Sequence, residues 1–187
     1  MNGTIKHYMY GSLLAGVVLL SGCSAMKVMI ERPFGSSKDV SDASTLWNKL
    51  EKKGYINAQS TLYEGSMPHG SIQEVLEGTV DGKVVVVKRN YRGKNLTIDD
   101  VKANRAKYLK AITVMEKREN GYDSENKDWF YAKYNPDGSL AKKMGMIPLA
   151  GRVGKGVDGM TCISCHSTAP DGEYRFIKDD DPRLKHL

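Results

Sequence analysis

The sequence lacks a hydrophobic run long enough to span a membrane without help. The apolar run over residues 13–20 is short and is interrupted by Gly16, whereas a spanning helix needs about 20 apolar residues. This excludes an unaided transmembrane helix in that run. Together with Lys6 before it, the run has the layout of a signal peptide, which predicts a leader over residues 1–22.

The sequence also has little excess charge of either sign. Its 28 basic and 22 acidic residues give a formal charge of +6, and the two signs are interleaved, as in residues 116–119. The sequence has no run of basic residues that could bind along a phosphate backbone, which argues against nucleic acid as a partner. A hydrophobic share of 40% and a charged share of 27% are typical of one ordinary globular domain.

Cysteine is scarce, with only three residues of this type. The first, Cys23, follows Leu20, Ser21 and Gly22, a segment that resembles the bacterial lipobox. This predicts cleavage before Cys23 and a lipid on its thiol, with residues 23–41 as a lipidated tether. Because Ser24 rather than aspartate follows, we expect sorting to the outer membrane, facing the periplasm. Ordinary secretory cleavage that leaves a free Cys23 is the alternative.

The other two cysteines belong to a Cys-x-x-Cys-His motif formed by Cys162, Cys165 and His166. Two thiols on one helical turn can reach the two vinyl groups of a porphyrin, and the adjacent imidazole can then bind the iron. The motif predicts one covalent haem c with His166 as an axial ligand of the iron. A redox-active thiol pair would need a βαβ context and a zinc site a second ligand pair, and the sequence offers neither.

No methionine follows His166, which argues against the small helical electron carriers, whose early haem motif is followed by a distal methionine. Four consecutive valines, residues 84–87, argue against a four-helix cytochrome. They belong to a predicted hairpin with strands over 72–80 and 84–91, joined at Asp81-Gly82, a favourable two-residue turn. The valine strand is expected to be central.

Helical spacing and capping residues predict two helices. One runs near residues 42–53 with Ser41 or Asp42 as its cap, and the other follows Thr97 and continues to Leu109. A second hairpin is predicted from residues 111–118 and 129–134, and the glycine-rich residues 142–159 form a loop around the haem. The fold class is therefore α+β: an antiparallel sheet of about five strands with a few helices, packed around one haem c over residues 42–187.

Several segments occur in the order found in the P-460 cytochromes and the beta-type cytochromes c prime, and the chain resembles that family over roughly residues 43–178. The segments are residues 68–70, the valine strand ending at Lys88, residues 112–117, 128–132 and 136–138, and the terminal haem motif. The resemblance implies a haem iron with histidine on one side and an open, pocketed position on the other. Some members cross-link a lysine to the porphyrin and oxidise hydroxylamine, and others bind nitric oxide.

The resemblance suggests Lys88 as the linking residue and Lys83 as a weaker candidate. The alternative is that the lysine only marks the edge of a strand and forms no link. His69 could be a distal ligand or could complete a turn beside Pro68 and Gly70. Met144 or Met146 could reach the sixth position of the iron or could pack within the loop.

Glu116 or Asp137 could accept a proton in the pocket. Alternate members of the aromatic run over residues 129–134 could line the haem.

The sequence is compatible with two functions. The first is a five-coordinate haem protein that acts on hydroxylamine as an oxidoreductase or binds nitric oxide or a similar small nitrogen oxide. The second is a six-coordinate lipoprotein that passes electrons to redox partner proteins of the cell envelope. The sequence leaves the oligomeric state open, with a dimer among the options.

Overall fold

The computed structural model describes residues 33–170, 172–177 and 180–187. The predicted signal peptide and the lipidation site Cys23 lie outside the described residues. No helix in the described part of the chain is long and apolar enough to cross a bilayer.

The described residues form four α-helices and nine strands. The longest helix, α1, precedes the sheet, and the haem motif forms the last helix, α4. In chain order the elements are α1 (Ser37–Lys52), β1 (Tyr63–Glu64), β2 (Ile72–Val80), β3 (Lys83–Tyr91), α2 (Ile98–Ala103), α3 (Arg105–Tyr108), β4 (Leu109–Lys117), β5 (Trp129–Tyr134), β6 (Lys142–Lys143), β7 (Ile147–Pro148), β8 (Ala150–Gly151), α4 (Cys162–His166) and β9 (Leu184–His186).

Helix α1 begins at Ser37, earlier than the sequence predicted. Ser36 and Asp39 form a capping box, in which each side chain accepts a hydrogen bond from the backbone N–H of the other. The predicted caps, Ser41 and Asp42, therefore lie inside the helix, and residues 37–41 are helical rather than part of a tether. Every third or fourth residue from Ala43 onwards faces the sheet, because this spacing returns to one side of a helix.

The sheet follows the order β1-β2-β3-β4-β5-β8, with antiparallel pairing between neighbours. The prediction of an α+β fold with an antiparallel sheet is confirmed, but the sheet has seven strands rather than about five. The seventh, β9, pairs in parallel with β2. The valine strand β3 lies between β2 and β4, as its double-sided apolar pattern predicted.

The hairpin β2–β3 has the predicted two-residue turn. Asp81 and Gly82 have φ values of 51° and 76°, and Val80 pairs with Lys83. Both turn positions are left-handed, which glycine adopts freely and aspartate tolerates.

The single helix predicted after Thr97 is instead two helices, and Leu109 already belongs to β4. The break is at Asn104, which ends α2 with φ −155° and ψ 81°, outside the helical region, and caps α3 by accepting a hydrogen bond from the N–H of Lys107. Asparagine often competes for backbone hydrogen bonds in this way.

The two faces of the sheet carry separate hydrophobic clusters. Leu46 and Leu50 of α1 pack with Val85, Val87 and other side chains on one face. The opposite face carries Met115, Trp129 and Tyr131, which pack against Val153 and Ile163 near α4. Alternate residues of each strand point to opposite faces, so the sheet separates the α1 side from the side that carries the haem motif.

Candidate functional site

Helix α4 is short, but its first turn is fixed by two kinds of contact. Thr161 and Ser164 form a capping box at its start, and the N–H of the buried Ile163 donates to the carbonyl of Val153 at 3.1 Å. These contacts hold one helical turn against the sheet. On that turn Cys162 and Cys165 are both free thiols, and His166 follows directly.

The His166 ring has a fixed orientation and a defined tautomer. Its Nδ1 lies 2.6 Å from the carbonyl oxygen of Tyr174, and because a carbonyl can only accept, Nδ1 carries the hydrogen. Nε2 then keeps its lone pair. Burial lowers the pKa of His166 to about 4, against a smaller opposing effect of the Tyr174 bond. At neutral pH the ring is therefore the neutral imidazole that binds metals.

Adjoining cavities surround His166 and the two thiols. One of about 250 Å³ is lined by Cys162, Cys165 and His166, and a second of about 520 Å³ is lined by Cys165 and Lys88. His69 lines both. The larger cavity is within the range of about 300–1,000 Å³ found for ligand pockets.

Aromatic rings stand close to His166 on two sides. The centroids of Tyr131 and Phe176 each lie 5.5 Å from that of the His166 ring. The buried hydroxyl of Tyr131 has no hydrogen-bond partner among the described residues. As predicted, alternate members of the aromatic strand face this side, since Trp129 and Tyr131 belong to its cluster while Phe130 and Tyr134 pack under α1.

Lys88 is on the same face of the sheet as His166. Its side chain lines a small cavity together with Cys162 and His166, and burial lowers its pKa to about 8. The weaker candidate, Lys83, lies at the far end of β3, where its Nζ pairs with Glu119 at 3.1 Å. It does not line the cavities around His166 within the described residues.

His69 comes from the loop between β1 and β2, more than 90 residues before the haem motif in the chain. Its ring centroid lies 6.4 Å from that of His166, with an angle of 80° between the ring planes. Burial is the main cause that lowers the pKa of His69 to about 3, and Lys88 and His166 add to the effect. Its imidazole is therefore also neutral.

The other candidates lie elsewhere. Met144 and Met146 are 81% and 70% exposed in the β6–β7 turn, so neither packs in a core nor lines the cavities. Asp137 is exposed and bonded to Ser139, and Glu116 pairs with Arg118 on the α1 side of the sheet. Neither acid can therefore accept a proton beside His166.

The alternatives for the cysteine motif find little support in its surroundings. Burial raises the pKa of Cys162 to about 11, whereas a redox-active cysteine needs a lowered pKa. Among the described residues no group of three or more His, Cys, Asp or Glu side chains could hold a metal ion, as a zinc site would require.

Sequence reasoning missed Tyr174 and Phe176. Tyr174 acts through its backbone carbonyl, which leaves no signal in residue type, and Phe176 is a single aromatic residue in an irregular segment. Their position shortly after the motif was the only available hint.

The residues present fit a haem. One face of the α+β fold carries a cavity that brings together an oriented neutral imidazole, two unbonded thiols on one helical turn, aromatic side chains and an unpaired buried hydroxyl. This combination defines the site of a haem-binding cytochrome. The chain belongs to the cytochrome P-460 family, whose family model matches residues 53–177. Comparisons with curated proteins and with solved structures gave no significant match.

Proposed function

We propose that this protein is a membrane-anchored redox cytochrome with one haem c, bound covalently through Cys162 and Cys165 and ligated by His166. The hydrogen bond from His166 Nδ1 to Tyr174 is the observation that carries the proposal, because it leaves Nε2 free beside both thiols. The haem would supply one-electron iron chemistry. The chain supplies an oriented ligand and an apolar wall that keeps water away.

The primary role is electron transfer with redox partner proteins of the cell envelope. Lys133 and Lys143 line the cavity that contains both thiols, so two positive charges lie beside the site. Such charge favours brief docking with a partner that carries acidic residues there.

The protein acts at a membrane surface through a lipid on Cys23, on the periplasmic side of the outer membrane. The lipobox-like segment before Cys23 supports this anchor. Each buried methylene of an acyl chain adds about 0.8 kcal/mol, so a multiply acylated cysteine can hold a domain without a spanning helix.

Haem attachment is tested by producing the full chain in a host that assembles c-type cytochromes. Intact-mass analysis after denaturation should show one added haem, and the pyridine haemochrome spectrum should indicate thioether bonds. The variants Cys162→Ser and Cys165→Ser should each weaken attachment, and the double variant should abolish it. Ser167→Ala, an exposed residue directly after the motif, is the control and should retain the haem. A colourless wild-type chain would refute the proposal.

Chemistry on small nitrogen compounds is the second candidate function, and Lys88 is the observation that favours it. A partly buried lysine beside Cys162 and His166 is suited to form the cross-link to the porphyrin that a lysine forms in some members of the family. In that case the wild-type Soret band would be shifted far to the red and the protein would consume hydroxylamine.

Lys88→Met and Lys83→Met form the matched pair for this second function. Only the first substitution should remove the red shift and the hydroxylamine activity, because Lys83 lies at the other end of the strand. An ordinary c-type spectrum that both variants leave unchanged would exclude the link.

A further inference from the structure

The loop that carries His69 is held in place by side chains that bind its backbone. Gln73, which is buried, donates to the carbonyls of Ser66 at 3.4 Å and Gly70 at 3.2 Å. Arg92 donates to the carbonyls of Pro68 and His69. Four carbonyls of one short loop are thus fixed, although surface loops normally satisfy such groups with water.

The loop also packs tightly against β3. A Cβ atom added to Gly70 would lie 2.6 Å from the carbonyl oxygen of Tyr91, closer than atoms can approach without a shift. The position after His69 therefore requires glycine, and the His69 ring is held over the cavity rather than over solvent.

The distance between the two imidazoles suits a shared metal ion. Metal–imidazole bonds are about 2 Å long, and two such bonds together with the two half-rings account for a centroid separation of 6.4 Å. Both rings line the same two cavities, so one group held there can contact both imidazoles. Within the described residues the His69 ring makes no hydrogen bond of its own, unlike the His166 ring.

The geometry points to His69 as the second axial ligand of the haem iron, opposite His166. This inference rests on the proposed haem site and extends it. An iron held by two imidazoles has no open position, so the resting protein is six-coordinate and suited to electron transfer rather than to hydroxylamine oxidation. It also departs from the open distal position that the family resemblance implies.

Other donors are less well placed for this role. Met144 and Met146 are exposed and do not line the cavities. Met160 lines one cavity but is 74% exposed. Lys88 lines the cavity on the sheet side together with His166 and is the rival donor that the experiment separates from His69.

The test compares the haem-loaded full-length protein with the variants His69→Ala, Lys88→Met and the control His186→Ala, which changes a surface histidine of β9. The wild-type ferric protein should be low-spin. Its electron paramagnetic resonance spectrum should be the strongly anisotropic one of crossed imidazole planes, since the rings are 80° apart. The ferrous protein should not bind carbon monoxide.

His69→Ala should become high-spin and bind carbon monoxide, and added imidazole should restore the low-spin spectrum, while the other two variants keep the wild-type spectrum. A high-spin wild type, or a low-spin signal that only Lys88→Met removes, would overturn the inference. If His69→Ala binds no haem, the electron paramagnetic resonance spectrum of the wild-type protein tests the inference without the variant. Because every reading is taken on haem-loaded protein, failure here leaves covalent attachment intact, whereas a colourless wild type would refute the haem site itself.

Discussion

The carbonyl oxygen of Tyr174 accepts a hydrogen bond from Nδ1 of His166 at 2.6 Å. A second bond supports the same segment, because the indole Nε1 of Trp129 donates to the neighbouring carbonyl of Glu173 at 3.2 Å. The sheet therefore fixes the segment that orients the imidazole. A hydrogen bond at Nδ1 makes the imidazole more basic and a better ligand for the ferric state.

Trp129→Phe should raise the reduction potential of the haem without releasing it. The substitution removes the donor to Glu173 and loosens the carbonyl beside it, which weakens the bond to His166 and lowers its basicity. We expect a loss of about 1 kcal/mol in unfolding free energy from the hydrogen bond. Potentiometric titration followed by absorbance measures the effect on the iron.

The matched control for this prediction is Trp47→Phe. Trp47 is on α1 and packs against Tyr134 on the opposite face of the sheet, at a centroid distance of 4.8 Å. It should leave the potential unchanged. Equal shifts in both variants would mean that the Glu173 contact does not act on the iron.

Gly154→Ala should impair haem loading and stability more than Gly156→Ala. Both glycines have positive φ, 112° and 65°, but only at Gly154 would an added Cβ overlap the Thr161 side chain that caps α4. The backbone cost is about 1–3 kcal/mol at such positions, and the overlap adds to it by displacing the turn that carries both thiols.

Thermal unfolding and the haem-to-protein ratio measure this difference between the glycine variants. Gly156 has nothing within 4 Å of an added Cβ, so its variant should load haem normally. If the two variants load haem equally, the Gly154 contact does not position the motif.

Arg89→Met should destabilise the fold strongly. Nε of Arg89 lies 2.9 Å from Oε1 of Glu74, and both side chains are almost fully buried. Removing one partner of a buried ion pair costs about 3–5 kcal/mol, because the other charge stays buried. The loss should be near the lower end of this range, because Nε of Arg105 lies 3.6 Å from the same oxygen and still pairs with Glu74.

The double variant Arg89→Met with Glu74→Gln should regain part of that stability, since no unpaired carboxylate is left. Lys38→Met, which breaks an exposed pair with Asp42, should cost less than about 1 kcal/mol. Denaturant unfolding measures all three variants. A double variant less stable than Arg89→Met would show that the carboxylate has a further role.

Cys23→Ala should move the protein from the membrane fraction to the soluble fraction while the haem spectrum stays the same. The lipid is predicted on that thiol, and the haem motif lies at the other end of the chain. Ser24→Ala, which keeps the cysteine, is the control. A wild-type protein that is soluble without detergent would contradict the anchor.

Local chemistry explains which elements were predictable from the sequence. Asp81-Gly82 fixed both the turn and the register of its hairpin, because a two-residue loop with positive φ allows few alternatives. Asn104 was overlooked because hydrophobic spacing continued across it. The parallel pairing of β9 with β2 joins residues more than 100 positions apart, and nothing in either strand specifies that partner.

In the candidate site, too, the residues in local sequence motifs were easier to predict than those brought together by the fold. The haem motif could be recognised because its function depends on a fixed local spacing, and Lys88 was suggested by the resemblance of its strand to the family. His69 was one of the candidates in the sequence, but its position 6.4 Å from His166 depends on how the β1–β2 loop folds over the sheet, which no local pattern encodes.

The position of strand β9 affects how the protein behaves at high local concentration. Together with β1 it covers the outer side of β2, whose backbone groups would otherwise be free to bind a strand from a neighbouring copy. Edge strands left open in this way invite aggregation. A chain crowded with its neighbours is thus shielded from strand-to-strand association along that side.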